Sequence, residues 1–158
     1  MRPLPRSFFV PNAEIVAREL LGALLVRRWP SGRETVCRVV ETEAYTGRED
    51  LASHGRRAPT PRSRPLYGAP ALTYIYKSRG IHWMLNVVAE PEGEPAGVLI
   101  RGVEPLRGLD SLLSPTTDGP GKLCRALGID FGHHQIDITS KDSELWIGGG
   151  DPVRDDQV

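Results

Sequence analysis

At 158 residues with 39% hydrophobic side chains, the chain suits one domain built around one core and has no need of a second. Its 20 basic and 20 acidic residues cancel, which argues against a partner held by overall charge alone. Two cysteines without a CxxC or any Cys/His ligand spacing point to a reduced, cytoplasmic protein with no metal site. The opening stretch MRPLPRSFFVPNAE has no long apolar region, and no apolar run approaches membrane-spanning length.

Asn12 precedes AEIVARELLG, whose Ile15, Val16, Leu20 and Leu21 supply an apolar face and whose Gly22 is a stop, so a short capped helix is expected. ALLVRRW (23–29) and TVCRVVETEA (35–44) are rich in β-formers, and Pro30-Ser31-Gly32 between them supplies the turn of an antiparallel pair. Residues 55–70 carry four prolines and four arginines, too much proline for a helix or a central strand, and read as a basic loop. LTYIYK (72–77) and IHWMLNVV (81–88) flank Ser78-Arg79-Gly80 as a hairpin, and VLIRGV (98–103) adds a strand. GPGKLCRALGI, with Pro120 near its start and Gly128 near its stop, reads as a second short helix. His133-His134 has no partner at metal spacing and reads as a surface turn, and Trp146 marks a last strand. The expected fold is α+β: a single domain in which short helices surround a curved antiparallel sheet with a protruding β-hairpin.

The neutral total hides an uneven distribution. Between Leu51 and Ala89 stand six basic residues, Arg56, Arg57, Arg62, Arg64, Lys77 and Arg79, and no acid. From Ile129 onward seven acids face only Lys141 and Arg154. A basic middle with an acidic tail fits a protein that presents one face to a polyanion, and equally a solvated basic loop. Glu43, Tyr45, His54, Tyr74, Tyr76 and Asn86 could converge at strand ends, where a rigid ladder fixes the backbone beside an open cleft. Singly, each has an ordinary reading: Glu41 and Glu43 as a solvated strand face, Tyr74 and Tyr76 as same-face packing, Asn86 as a turn cap and His54 as a surface residue.

Together, VVETEAYTGREDLASH, TPRSR, LTYIYKSRGIHWMLNVV, GVLIRGVEPL and GPGKLCRALGI resemble, in the same order and from about residue 8 to 131, the alkyladenine (3-methyladenine) DNA glycosylase family of base-excision repair. The resemblance implies an enzyme without cofactor that flips a damaged purine out of double-stranded DNA and hydrolyses its N-glycosidic bond. Glu43 matches the family's general base, which activates the attacking water. Tyr45, His54 and Tyr76 match the aromatic walls of the base pocket, with the His54 N–H donating to the purine edge. Asn86 matches the pocket floor that disfavours an exocyclic amine, Leu99 its buttress and Arg101 a rim residue. The five cations Arg56, Arg57, Arg62, Arg64 and Lys77 are then phosphate contacts. Arg79 stands where such relatives intercalate a tyrosine. The link from EPLRGLD to GPGKL is shorter than the basic loop of the family, so an omitted loop near 113–115 and a shortened C-terminus are expected. No lysine adjoins Glu43 to form a Schiff base, so no lyase step is expected.

The expected protein is a monomer in the cytoplasm, on the nucleoid, without metal or membrane. Two other readings stay open at this level. A non-catalytic lesion-binding protein would need the stacking pocket but not a carboxylate facing the sugar. A hydrolase of free nucleosides would need no phosphate track.

Overall fold

The computed structural model describes residues 1–56, 58–109 and 116–153. Arg57, the link near 113–115 and the last five residues lie outside the described residues. Within them six strands form one curled antiparallel sheet: β1 (Leu24–Arg28), β2 (Glu34–Tyr45), β3 (Thr73–Ser78), β4 (His82–Ala89), β5 (Ala96–Arg107) and β6 (Leu145–Gly148), in the order β3-β4-β5-β2-β1-β6. Two helices, α1 (Ala13–Glu19) and α2 (Pro120–Ala126), and three short 3-10 turns complete the α+β architecture.

Local sequence accounts for the ends of these elements. The Asn12 side chain accepts a hydrogen bond from the Glu14 N–H and caps α1. At the end of α2, Gly128 at φ +59° lets its own N–H reach Arg125 and the Ile129 N–H reach the Cys124 carbonyl, the paired bonds that close a helix through a left-handed residue. β3 and β4 join through Arg79 and Gly80, both at positive φ, with the Ile81 N–H donating to the Ser78 carbonyl. Two positive-φ central residues make a turn whose twist matches that of the flanking strands.

Three features depart from the sequence expectation. β5 runs to Arg107, longer than the stretch its apolar pattern marks. Its pairing with β4 ends at Leu99, so Pro105 sits where β5 has β2 alone as a ladder partner. A 3-10 turn, Arg64–Tyr67, forms inside the proline-rich loop. The histidine pair is not a surface turn. His133 is buried, and the His134 Nδ1 accepts the Ile75 N–H at 3.0 Å. β3 is an edge strand whose outward N–H groups need acceptors, and residues 133–138 supply them, Ile136 taking the Thr73 N–H.

Alternation along the strands gives the sheet two different faces. Ile75, Leu85, Val87, Val98, Ile100, Cys37 and Val39 pack with Val16 of α1 and Leu20 just after it, and with Leu123 and Leu127 at α2, forming the main core. Both cysteines lie in it as free thiols, and burial pushes them up to about 11 for Cys37 and about 12 for Cys124. On the opposite face Tyr74 and Val88 pack with Leu66 from the proline-rich loop. The central strands are therefore covered on both sides, which is why β4 and β5 read as nearly continuous apolar runs. Ile100→Ala, which empties a fully buried site between sheet and helices, is expected to cost about 2–5 kcal/mol in chemical denaturation. A loss below about 1 kcal/mol would mean that the helix layer collapses onto the gap.

Candidate active site

Antiparallel register lines up one side chain from each of four strands on the face away from the helices. Tyr74 of β3 is paired with Asn86 of β4, Asn86 with Leu99 of β5, and Leu99 with Glu43 of β2. Directly paired residues point to the same side, so at the usual strand spacing the row runs about 14 Å from Tyr74 to Glu43. Tyr76 and Tyr45, each two residues further along its strand, project from the same face. The register of β2 against β5 shifts between Val39 and Thr42. Such irregularities re-aim side chains, and here Glu41 and Glu43 both reach Arg101 of β5.

The loop 46–70 folds over this face, and a pocket lies between it and the sheet. Tyr45, His54, Tyr74, Tyr76 and Asn86 wall it, with Ser53 and Leu66 on the loop side and Gly97 on the sheet. A side chain at Gly97 would crowd the Val87 carbonyl, 3.0 Å from its Cβ position. The His54 ring meets Tyr76 edge to face at 4.6 Å between centroids, and its Nδ1 lies 3.1 Å from the Tyr74 hydroxyl. The free space between these walls is about 30 Å³, enough for about two waters.

Glu43 stands beside the pocket with both carboxylate oxygens engaged. The Tyr45 hydroxyl donates to Oε1 at 2.5 Å, and Arg101 Nη1 donates to Oε2 at 2.7 Å. Arg101 Nε donates to Glu41 Oε1 at 3.0 Å, so one guanidinium bridges two carboxylates and is held firmly charged by them. Burial, and then the Glu43 carboxylate beside it, push the Tyr45 phenol far above its ordinary value, which keeps it a donor. A carboxylate has about four acceptor sites, so Glu43 keeps room for a water.

The positive charge is close to the rings. The Arg62 guanidinium lies 5.2 Å from the centroid of Tyr76, over its face. Partial burial, and then Arg62, lower the His54 pKa, so His54 is neutral at pH 7. Among the described residues no three His, Cys, Asp or Glu side chains come together as a metal site would require.

Of the residues singled out from sequence, the structure brings Tyr45, His54, Tyr76 and Asn86 together around the pocket and sets Glu43 and Arg101 next to it. Leu99 is buried within the row, between Asn86 and Glu43. Arg79 is at the exposed hairpin tip, away from the pocket lining. Arg56, Arg64 and Lys77 are exposed, and Lys77 lies 5.1 Å from the Trp83 ring centroid. Arg62 belongs to the pocket rim, not only to the outer basic surface. Tyr74, expected from sequence to converge with the site residues though given no role, also lines the pocket, whereas Ser53, Leu66 and Gly97 were not singled out from sequence. Gly97 had a readable signal, since a lone glycine inside a strand pattern marks a place where a side chain does not fit.

Residues 7–158 match the sequence profile of the methylpurine-DNA glycosylase (MPG) family. A protein of Salinibacter ruber is 44% identical over 175 residues, covering 100% of this chain and 84% of the relative. One of Myxococcus xanthus is 43% identical over 158 residues, covering 100% and 79%. A third, of Methanocella arvoryzae, is 40% identical over 163 residues, covering 98% and 80%. All three are provisionally named 3-methyladenine DNA glycosylase. The chain belongs to the methylpurine-DNA glycosylase family and is a DNA glycosylase, an enzyme that hydrolyses N-glycosyl bonds in DNA.

Proposed function

We propose that the enzyme flips alkylated purines, and deaminated ones, out of duplex DNA into the pocket beside Glu43 and hydrolyses the bond from sugar C1′ to the base. The observation that carries this reading is the join between an aromatic pocket and a carboxylate held on two sides by Tyr45 and Arg101. Glu43 orients a water and takes its proton as the oxygen bonds to C1′, while the electrons of the broken C1′–N bond leave with the purine. Its negative charge also stabilises the cationic sugar that develops at that moment. An alkylated purine carries positive charge and departs neutral, so no acid is required for it. Among the described residues no lysine lines the pocket, which supports a monofunctional enzyme that stops at the abasic site.

The base is stacked between Tyr45, His54 and Tyr76, whose electron-rich faces favour a cationic purine over a neutral one. A purine between two parallel rings needs about 7 Å between them, twice a van der Waals contact. The edge-to-face contact of His54 and Tyr76 therefore opens as the base enters, with the His54 loop moving outward. Asn86, donating from its amide nitrogen to the Tyr74 carbonyl, is fixed at the floor to screen exocyclic groups, with Leu99 behind it. Arg79 fills the gap left in the duplex, and Ile81, 66% exposed beside it, adds apolar surface to that wedge. Arg56, Arg57, Arg64 and Lys77 hold phosphates. The enzyme acts as a monomer, and its substrate puts it at the nucleoid.

The test is single-turnover base release from duplex oligonucleotides carrying one 3-methyladenine, 7-methylguanine, ethenoadenine or hypoxanthine. No release from any of them, with tight binding, would leave a lesion sensor instead. A pH dependence follows as well. The His54 pKa lies below the ordinary imidazole value, so the ring gains its proton on the acid side of about pH 6.5. That charge repels a cationic base. Release of 7-methylguanine is expected to fall relative to hypoxanthine as the pH drops from about 7 to about 5. A constant ratio of the two rates across that range would remove His54 from the stacking wall.

A further inference from the structure

A second groove, of about 300 Å³, shares Tyr76 with the base pocket and follows the outer edge of β3. Phe131 lines it, stacked on His134 at 4.9 Å and 14° and facing Trp83 at 6.3 Å and 30°. A phenylalanine placed for core packing would be covered, yet Phe131 is 59% exposed. Two cations border these rings, Arg62 over Tyr76 and Lys77 over Trp83, and among the described residues no Asp or Glu lines the groove. Because His134 Nδ1 accepts the Ile75 N–H, the proton of its neutral ring is on Nε2, available as a donor. Aromatic faces interleaved with cations, free of acid, match one nucleotide: a base to stack and a phosphate to neutralise.

We propose that this groove holds the nucleotide adjoining the flipped one when the strand is unpaired, so that the enzyme binds single-stranded DNA through it. The argument rests on the reading of the Tyr76 pocket as the place of the flipped base, since Tyr76 is the wall common to both sites. In a duplex the neighbouring base stays stacked on its own helix and paired, and the groove has no claim on it. In a single strand nothing competes, and the strand runs from one site into the next past Arg62.

Binding of an undamaged single-stranded oligodeoxynucleotide and of its duplex is compared by fluorescence anisotropy for the unaltered protein, Phe131→Ala and Phe131→Trp. Phe131→Ala is expected to weaken single-strand binding about tenfold while duplex binding stays within about twofold, and Phe131→Trp to restore it. An equal loss on both DNA forms, or no loss on either, overturns the proposal. A 2-aminopurine base in the single strand gives a second measure on the unaltered protein: quenching on binding is expected, and unchanged fluorescence counts against the groove. Neither measurement involves a lesion or a bond cleavage. Failure of the glycosylase mechanism would show in the base-release assay, separately from these results.

Discussion

Glu43→Gln is expected to slow base release from duplex DNA by about 10²–10⁴-fold, the usual contribution of a positioned proton acceptor, with lesion-containing DNA still bound. Gln has the shape of Glu but cannot take a proton from water or oppose a cationic sugar. Its effect on the local network is also definite. Glu43 now accepts from Tyr45 on one oxygen and from Arg101 on the other. The amide has one acceptor oxygen, which Arg101 can keep, and its NH₂ can donate to the Tyr45 hydroxyl, which accepts as well as donates. Arg101, which can only donate, also keeps Glu41 as a partner. The variant should therefore fold and keep its pocket while losing the chemistry. Base release within about tenfold of the unaltered rate would move the general base elsewhere.

Gly55→Ala is expected to cost about 10²-fold in base release, although Gly55 touches no proposed reacting atom, since displacing a catalytic element by about 1 Å has effects of that size. A Cβ on Gly55 would sit 2.6 Å from the Pro95 carbonyl oxygen and nearer still to the Pro95 ring. The contact is with backbone just ahead of β5, so the loop and not the sheet must yield. The Gly55 carbonyl is meanwhile held by the Tyr67 hydroxyl at 2.9 Å, and its N–H by Ser53 Oγ at 3.0 Å. Moving Gly55 carries its neighbour His54 away from Tyr74 and Tyr76. Thermal unfolding should remain cooperative, because the main core between sheet and helices is on the other face. An unchanged rate of release would mean that the height of this loop above the sheet does not govern the pocket.

The same contrast between local and non-local causes separates what could be read from the chain alone. Asn12, Gly128, the Pro30-Ser31-Gly32 turn and the Arg79-Gly80 hairpin act within a few residues, through backbone conformations that other residues adopt at a cost. Their effects were legible without a fold. So was the proline-rich loop, since proline cannot donate to a central ladder. The site was legible in a different way, through motifs that resemble a family and not through spacing. Nothing in the intervals between Glu43, Asn86 and Leu99 says that they share a row.

By itself, then, the sequence determined the kinds of element, their order, the acid-free basic stretch and the family. Only the tertiary structure decided the row from Tyr74 to Glu43, because it depends on the register of strands tens of residues apart, and a slip of one residue would turn each side chain to the other face. It also decided that Arg62 lies over Tyr76, that Arg101 bridges Glu41 and Glu43, and that His134 serves an edge strand. In each case a buried or charged group takes the partner that the folded chain brings within reach, and proximity of that kind is a property of the packed sheet, not of neighbouring residues.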